Sequence, residues 1–286
     1  MLTALKRLPG NTVELTITIP WTMVQSTYER ILNELLKEVE LPGFRRGKAP
    51  KDLALKQINE SKVYEEVLKE MVPKIYADSV KEQGLQPIIS PHIEVLEAKA
   101  KADWKLKITT CEKPEISLGN YREAVRKLHD KSGKIWVPGE DKDDKKPKEP
   151  TVGELLEALY TEIKVDLSPL ILEQEVNRML SNLIEQTQKL GLTIEQYLAA
   201  QNKTSDSIRD EYTAQAKKTL GLEFALEDIA EAEKVTVEPA EIGSVIKNAK
   251  TEAERRNLES QRYYIGSILR RQKTLSQLLK PAIVKV

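Results

Sequence analysis

The first regular pattern in the chain is an alternation of apolar and polar residues near the amino terminus. Every second residue from Val13 to Ile19 is aliphatic, and the residues between them are Glu or Thr. A period of two residues predicts a β-strand with one buried face. A similar alternation in "DWKLKITTCE", residues 103–112, predicts a second strand, and "IEVLEA", residues 93–98, predicts a further extended run.

Apolar residues recur at helical spacing between these strands. The stretch "WTMVQSTYERILNELLKEVE", residues 21–40, predicts one amphipathic helix. Pro50 suits the first position of a second helix, and a third carries apolar residues from Val63 to Val80. Pro73 lies inside the third pattern and should kink or restart it. Residues 1–112 are therefore expected to form one α+β domain.

The composition changes after this domain. The stretch "PGEDKDDKKPKEP", residues 138–150, has three prolines, five acids and four lysines but no apolar residue. Such a composition is typical of a solvated linker, which we expect over residues 113–150. Trp136 lies in the short apolar run "KIWV", so the sequence leaves open a structured element there.

From residue 151 to residue 286 the pattern is helical. Ser168 and Pro169 form a cap and a first position for one helix, and Thr193 with Gln196 forms a capping box for the next. A long helix is expected from about Ser205, and a terminal helix from about residue 260 to residue 280. This half of the chain is predicted to be an all-α domain.

Charge is unevenly distributed within the helical half. Residues 221–241 hold seven acids and one lysine, whereas residues 255–286 hold eight basic residues and one glutamate. The simplest interpretation is that these two stretches face each other or water. A partner site on one of them is the alternative.

The composition of the whole chain excludes some classes of protein. Its 286 residues are 40% hydrophobic and 31% charged, with 45 basic and 45 acidic residues, so a general affinity for nucleic acid is not expected. Cys111 is the only cysteine, which rules out an internal disulfide. The amino terminus lacks the apolar core of a signal peptide, and no stretch is long enough to cross a membrane. We expect a cytoplasmic protein.

The sequence offers little for catalysis or metal binding. The only histidines, His92 and His129, lie far apart in the chain, and there is no glycine-rich phosphate loop. Cys111 lies in a predicted strand, where a cysteine is more often a small core residue than a nucleophile. We therefore predict no catalytic residue, no metal and no cofactor.

The loop "LPGFRRGKAP", residues 41–50, carries more specific features than a connector needs. Gly43 and Gly47 permit backbone angles that other residues avoid, and Pro42 and Pro50 stiffen both ends of the loop. We therefore expect the tip of this loop to be an ordered turn and not a flexible connector.

Cations and one aromatic residue occupy this tip. Arg45, Arg46 and Lys48, with Lys51 just beyond, give four positive charges and no acid. Clustered cations suit phosphate or carboxylate groups, and Phe44 could anchor the same contact. Alternatively, Phe44 folds inward as an apolar plug and the cations only keep the turn soluble. The residues alone do not decide between these two interpretations of Phe44.

The segment "GFRRGKAP", residues 43–50, resembles the ribosome-binding signature of the bacterial trigger factor family. Its surroundings agree, with "ELTITIP" before it and "GLQPIISPHIEV" after it. The second half resembles the SurA-like domain of the family through "VDLSPLILEQEVNRML", "LGLTIEQYLAA" and "ILRRQKTLSQLL". The resemblance covers residues 1 to about 120 and 151 to about 280. It implies an α+β ribosome-binding domain followed by an all-α, SurA-like chaperone domain, in an elongated, multi-domain chain.

One departure from the family pattern concerns the middle of the chain. Family members usually carry an FKBP-like peptidyl-prolyl isomerase domain between these two parts, but only residues 113–150 separate them here. A domain with its own core usually needs at least about 50 residues. We therefore expect a form without the isomerase domain and without its activity.

The resemblance also implies roles for residues and partners. It assigns Phe44, Arg45 and Lys48, assisted by Arg46, to docking on the large ribosomal subunit, on a ribosomal protein and adjacent rRNA near the tunnel exit. The loop glycines and prolines would shape the tip. The implied activity is an ATP-independent holdase for nascent and unfolded polypeptides. The resemblance assigns no client-binding residues and leaves open whether the free protein forms a homodimer.

Three alternatives remain at this point. An RNA-binding factor would need a larger basic groove than this loop provides. A periplasmic SurA-like chaperone would need a signal peptide. A trigger factor with weak isomerase activity would need catalysis from residues 113–150.

Overall fold

The computed structural model describes residues 2–40, 42–44, 50–132 and 150–280. The chain divides into two compact units. One comprises Met1–Lys113 with Ser168–Ile171, and the other comprises Pro114–Leu167 with Leu172–Val286.

The first unit contains a four-stranded sheet. Its strands are β1 (Leu2–Leu8), β2 (Thr12–Ile19), β3 (His92–Glu97) and β4 (Trp104–Cys111), in the spatial order β1-β2-β4-β3 with every pair antiparallel. The two strands predicted from alternation, β2 and β4, are neighbours in the centre. Their register places Leu15 opposite Ile108 and Ile17 opposite Leu106. The period-2 pattern therefore predicted both the strands and the face that they bury.

Among the described residues of this unit, three helices accompany the sheet, namely α1 (Trp21–Glu38), α2 (Lys51–Leu55) and α3 (Glu60–Glu82). The restart expected at Pro73 does not occur, because α3 continues through this residue. The cap of α3 is Asn59, whose side-chain oxygen accepts a hydrogen bond of 2.9 Å from the backbone N–H of Ser61. Asn is a strong N-cap residue because its side-chain oxygen can accept a hydrogen bond from a backbone N–H of the first helical turn.

The core of the first unit lies between one face of the sheet and the helices α1 and α3. Leu15, Ile17, Leu106 and Ile108 on the sheet are fully buried. The main helical contributions to the same cluster are Val24 and Ile31 from α1 and Val63, Val67, Met71, Val72 and Ile75 from α3. Burial of such side chains stabilises a fold by about 1.5–3 kcal/mol each.

The second unit is mainly helical. Its helices are α4 (Tyr121–Ser132), α5 (Val152–Glu162), α6 (Pro169–Lys189, whose first three residues belong to the first unit), α7 (Ile194–Ala200), α8 (Ser205–Ala232), α9 (Pro239–Lys247), α10 (Glu252–Ser260) and α11 (Arg262–Leu278). A two-stranded antiparallel pair, β5 (Ile116–Ser117) with β6 (Lys164–Val165), completes it. The predicted capping box of Thr193 and Gln196 is confirmed at α7. The predicted start of α6 is also confirmed, since the Ser168 hydroxyl accepts a 3.2 Å hydrogen bond from the N–H of Leu170.

Helix α4 lies within residues 113–150, where the sequence predicted a linker. Tyr121 and Val125 of α4 are buried with Leu155 and Leu159 of α5 in one apolar cluster. The polar composition of residues 138–150 masked this local helical spacing. Residues 133–149, including Trp136, lie outside the described residues.

The acidic and basic stretches of the second unit face each other, as the simplest interpretation of the sequence predicted. Arg271 of α11 pairs with Glu223 of α8, and Lys273 of α11 pairs with Glu241 of α9 at 2.6 Å. The side chain of Arg270 also donates a 2.9 Å hydrogen bond to the carbonyl of Val235. These pairs orient α11 against α8 and α9.

A carboxylate also joins α4 to the end of α8. Glu233 accepts hydrogen bonds of 2.7 Å from the Tyr121 hydroxyl and 2.9 Å from the Arg122 guanidinium. The Tyr121 hydrogen bond is the largest cause of a lowered Glu233 pKa, and Arg122 adds to it against the opposing effect of burial. Because the pKa is lower in the folded chain, the resulting stabilisation is complete above the ordinary carboxyl pKa of 4.5. It is lost as the pH falls through the folded-state pKa.

We expect Glu233→Gln to lower the free energy of unfolding by about 1–2 kcal/mol at pH 7, because charge-assisted hydrogen bonds to a half-buried carboxylate contribute about that much. Urea unfolding should show that this deficit shrinks as the pH is lowered below 4.5. Glu185→Gln, on an exposed position of α6, is the control and should have little effect. An equal deficit at neutral and acidic pH would contradict the assigned role of the carboxylate charge.

Candidate functional site

The candidate site begins where α1 ends. The helix finishes at Glu38, and the next residue, Val39, is extended and donates its N–H to the carbonyl of Leu35 at 3.1 Å. Pro42 and Gly43 then form a turn. Gly43 has a φ of +86°, and no atom lies within 4 Å of the position that a Cβ would occupy. Glycine is therefore favoured at this turn by backbone conformation and not by lack of space.

Phe44 follows this turn and has 45% of its surface exposed. An inward apolar plug, the alternative that the sequence left open, would be more fully buried than this side chain. Arg45, Arg46, Gly47 and Lys48 lie outside the described residues, so their predicted roles remain predictions.

Pro50 lies immediately before α2. Pro50 is the N-cap of α2 instead of its first helical residue, and its carbonyl accepts hydrogen bonds from Leu53 at 3.0 Å and Ala54 at 3.1 Å. Proline suits this boundary because its fixed φ angle restricts the chain entering the helix. A defined turn and a helix start thus flank the cationic residues of the loop.

Two further apolar side chains beside the loop were not singled out from the sequence. Leu53 and Leu55 of α2 are 45% and 37% exposed, whereas Ala54 between them is buried. Residues two positions apart point in different directions on a helix, so the two leucines cannot share one buried face. The spacing of the two leucines in "KDLALKQI" could have indicated from the sequence that at least one of them is exposed.

The other candidates for chemistry have structural roles or exposed positions. His129 lies 3.0 Å from the carbonyl of Leu278 through its Nε2 atom, and His92 is exposed on β3. Cys111 is buried, and burial raises the pKa of its thiol even though the Ser168 hydroxyl has the opposite effect. Across the residues that the structure describes, no group of three or more His, Cys, Asp or Glu side chains could hold a metal ion.

No helix within the described ranges is long and apolar enough to cross a membrane.

Comparison with protein families gives two matches. The family model for "Bacterial trigger factor protein (TF)" matches residues 1–132, and the model for "Bacterial trigger factor protein (TF) C-terminus" matches residues 139–284. Only residues 133–138 lie between the two matches, which leaves no room there for a further domain.

Individual relatives agree with these matches over the first part of the chain. The trigger factor of Pelotomaculum thermopropionicum is 36% identical over 118 residues, which is 41% of this chain and 27% of that protein. The trigger factor of Staphylococcus carnosus is 29% identical over 113 residues, which is 40% of this chain and 26% of that protein. The aligned region thus spans about a quarter of the length of these curated relatives.

A solved structure supports the same fold over the whole chain. It comes from work titled "Promiscuous Substrate Recognition in Folding and Assembly Activities of the Trigger Factor Chaperone". Its TM-score is 0.65 at 14% sequence identity, and the match covers 100% of both chains. The fold and the two family matches therefore lead to one conclusion: this chain belongs to the bacterial trigger factor family, in a form without the FKBP-like isomerase domain between its two matched regions.

Proposed function

We propose that this protein is an ATP-independent molecular chaperone that docks on the large ribosomal subunit near the exit tunnel and holds nascent or unfolded chains. The observation that carries the proposal is the exposure of Phe44 directly after the Gly43 turn. Arg45, Arg46 and Lys48 follow Phe44 in sequence, in a chain of the trigger factor family.

The chemistry of this tip suits a ribosomal surface. Burying the remaining exposed part of Phe44 would contribute about 1–2 kcal/mol. The cations would pair with rRNA phosphates or protein carboxylates, and Arg can bind either group through two parallel hydrogen bonds. Leu53 and Leu55 would extend the apolar contact. Binding through released counterions should weaken as the salt concentration rises.

The second unit offers dispersed apolar surface for clients. Five of its exposed large side chains lie on or beside α6 and α11, namely Ile184, Leu190, Leu192, Tyr263 and Tyr264. Contacts of this kind are individually weak and tolerate many sequences, as a holdase requires. Holding a chain by such contacts needs no nucleotide. Release follows when the client buries its own apolar residues.

We further propose that the protein has no peptidyl-prolyl isomerase activity. The six residues 133–138 between the two family matches cannot form an isomerase domain.

We expect the joint change of Phe44, Arg45 and Lys48 to Ala to weaken ribosome binding by roughly tenfold or more, because it removes one apolar anchor and two cations. Co-sedimentation with purified ribosomes measures this. The matched control changes Leu96, Lys81 and Lys99 to Ala, which removes the same charge and a side chain that is also 45% exposed. Equal binding by the loop variant and the control would refute the docking assignment.

We expect no acceleration of a refolding reaction limited by X-Pro isomerisation, which takes about 10–100 s at 25 °C without a catalyst. Refolding of a proline-limited model protein, followed by fluorescence with and without this chain, measures the rate. An FKBP-type isomerase provides the positive control. A rate that rises in proportion to the concentration of this chain would show that residues outside an FKBP-like domain catalyse isomerisation.

A further inference from the structure

The first unit contains an aromatic groove away from the loop. The groove has a volume of 540 Å³ and lies beside the N-terminal parts of α1 and α3. Its lining residues are Trp21, Gln25, Tyr28, Glu29, Glu60, Tyr64, Ala100 and Lys101. We call this site the Trp21 groove.

Aromatic rings in tilted contact form the wall of the Trp21 groove. The ring centroids of Tyr28 and Tyr64 lie 5.0 Å apart, and those of Tyr64 and Trp104 lie 5.6 Å apart. Trp104 is buried behind them and donates its indole N–H to the carbonyl of Lys99 at 3.2 Å. Trp21, Tyr28 and Tyr64 are only partly buried. The groove is thus an aromatic surface that remains open to solvent on one side.

Carboxylates give the Trp21 groove a negative character. Glu60 lies near both tyrosine hydroxyls, and the Tyr64 hydroxyl donates to it at 3.4 Å. Burial first, and Glu60 second, raise the pKa values of Tyr28 and Tyr64. Glu29 is oriented by a 2.9 Å hydrogen bond from the Gln25 amide. Glu29 and Glu60 together outweigh the single positive charge of Lys101.

We propose that the Trp21 groove binds an arginine or lysine side chain of an extended, unfolded polypeptide. Aromatic rings attract a cation over their faces, and a neighbouring carboxylate adds direct charge pairing. The two carboxylates oppose binding of a nucleic acid, which would bring phosphates to the same place. This inference rests on the proposed chaperone function, and it assigns part of client binding to the first unit.

An extended peptide fits the open geometry better than a small enclosed ligand. The groove is open on one side, so the flanking residues of a client can continue along the surface while one cation occupies the aromatic wall. Exposed cation–π contacts and surface ion pairs are each weak. A chaperone that must release its clients needs weak contacts of this kind.

The test uses the full chain and two fluorescently labelled unfolded peptides. One peptide contains a single arginine among apolar and small residues, and the other has citrulline, which is uncharged and nearly the same shape. We expect Glu29→Gln with Glu60→Gln to weaken binding of the arginine peptide by about three- to tenfold, measured by fluorescence anisotropy. Binding of the citrulline peptide should not change.

Matched variants separate charge in the groove from charge elsewhere. Asp78→Asn with Glu82→Gln removes two acids from exposed positions of α3 outside the groove and should leave both affinities unchanged. Tyr28→Phe keeps the ring and should retain binding, whereas Tyr28→Leu should weaken it. Circular dichroism and thermal unfolding verify that each variant is folded.

The inference is overturned if the groove variant binds the arginine peptide as well as the unchanged protein does. It is also overturned if both peptides lose affinity equally, since the groove would then recognise apolar groups and not a cation. Ribosome co-sedimentation and suppression of client aggregation, measured on the same variant, test the proposed function separately. If the variant binds ribosomes and suppresses aggregation normally and also binds the arginine peptide normally, the groove assignment is rejected while the proposed chaperone function stands.

Discussion

The packing of one whole face of the sheet under α1 and α3 is the constraint on which the rest of the first unit depends. Fully buried aliphatic residues of β2 and β4 pack against Val24 and Ile31 of α1 and against the apolar face of α3. Each such side chain contributes about 1.5–3 kcal/mol. Packing therefore fixes the direction of α1, and the turn at Gly43 begins from an anchored helix end. The same packing holds the rings of the Trp21 groove together, because Trp104 belongs to the core and the Tyr64 ring packs against it at a tilted angle.

The second unit is stabilised by an apolar cluster together with ion pairs between its helices. Its apolar cluster joins α4, α5, α8 and α11, and ion pairs add orientation between α11 and its neighbours. Glu233 fastens α4 to the end of α8 through Tyr121 and Arg122. A helical unit arranged in this way can leave apolar side chains such as Leu190 and Tyr263 exposed without losing its core. Such surface is what the proposed holding of unfolded chains requires.

The elements that the sequence predicted well are those with long periodic patterns and local caps. Strands β2 and β4, the start of α6 and the capping box of α7 each depend on residues that lie close together in sequence. Helix α4 was missed because a strongly polar neighbouring segment dominated the composition. Continuation of α3 through Pro73 depends on tertiary packing, whereas the spacing of Leu53 and Leu55 was a local signal that was overlooked. The Trp21 groove brings together residues 21–29, 60–64 and 100–101, which no local pattern connects.

The central claim is that the tip at Phe44 contacts the ribosome directly. A photoreactive amino acid in place of Phe44, irradiated in the presence of ribosomes, tests this contact most directly. We predict cross-links to a protein or rRNA of the large subunit that diminish as the salt concentration rises. The same photoreactive amino acid in place of Leu96, which is equally exposed on β3, should give few cross-links. Equal cross-linking from the two positions, or none from position 44, would contradict the account.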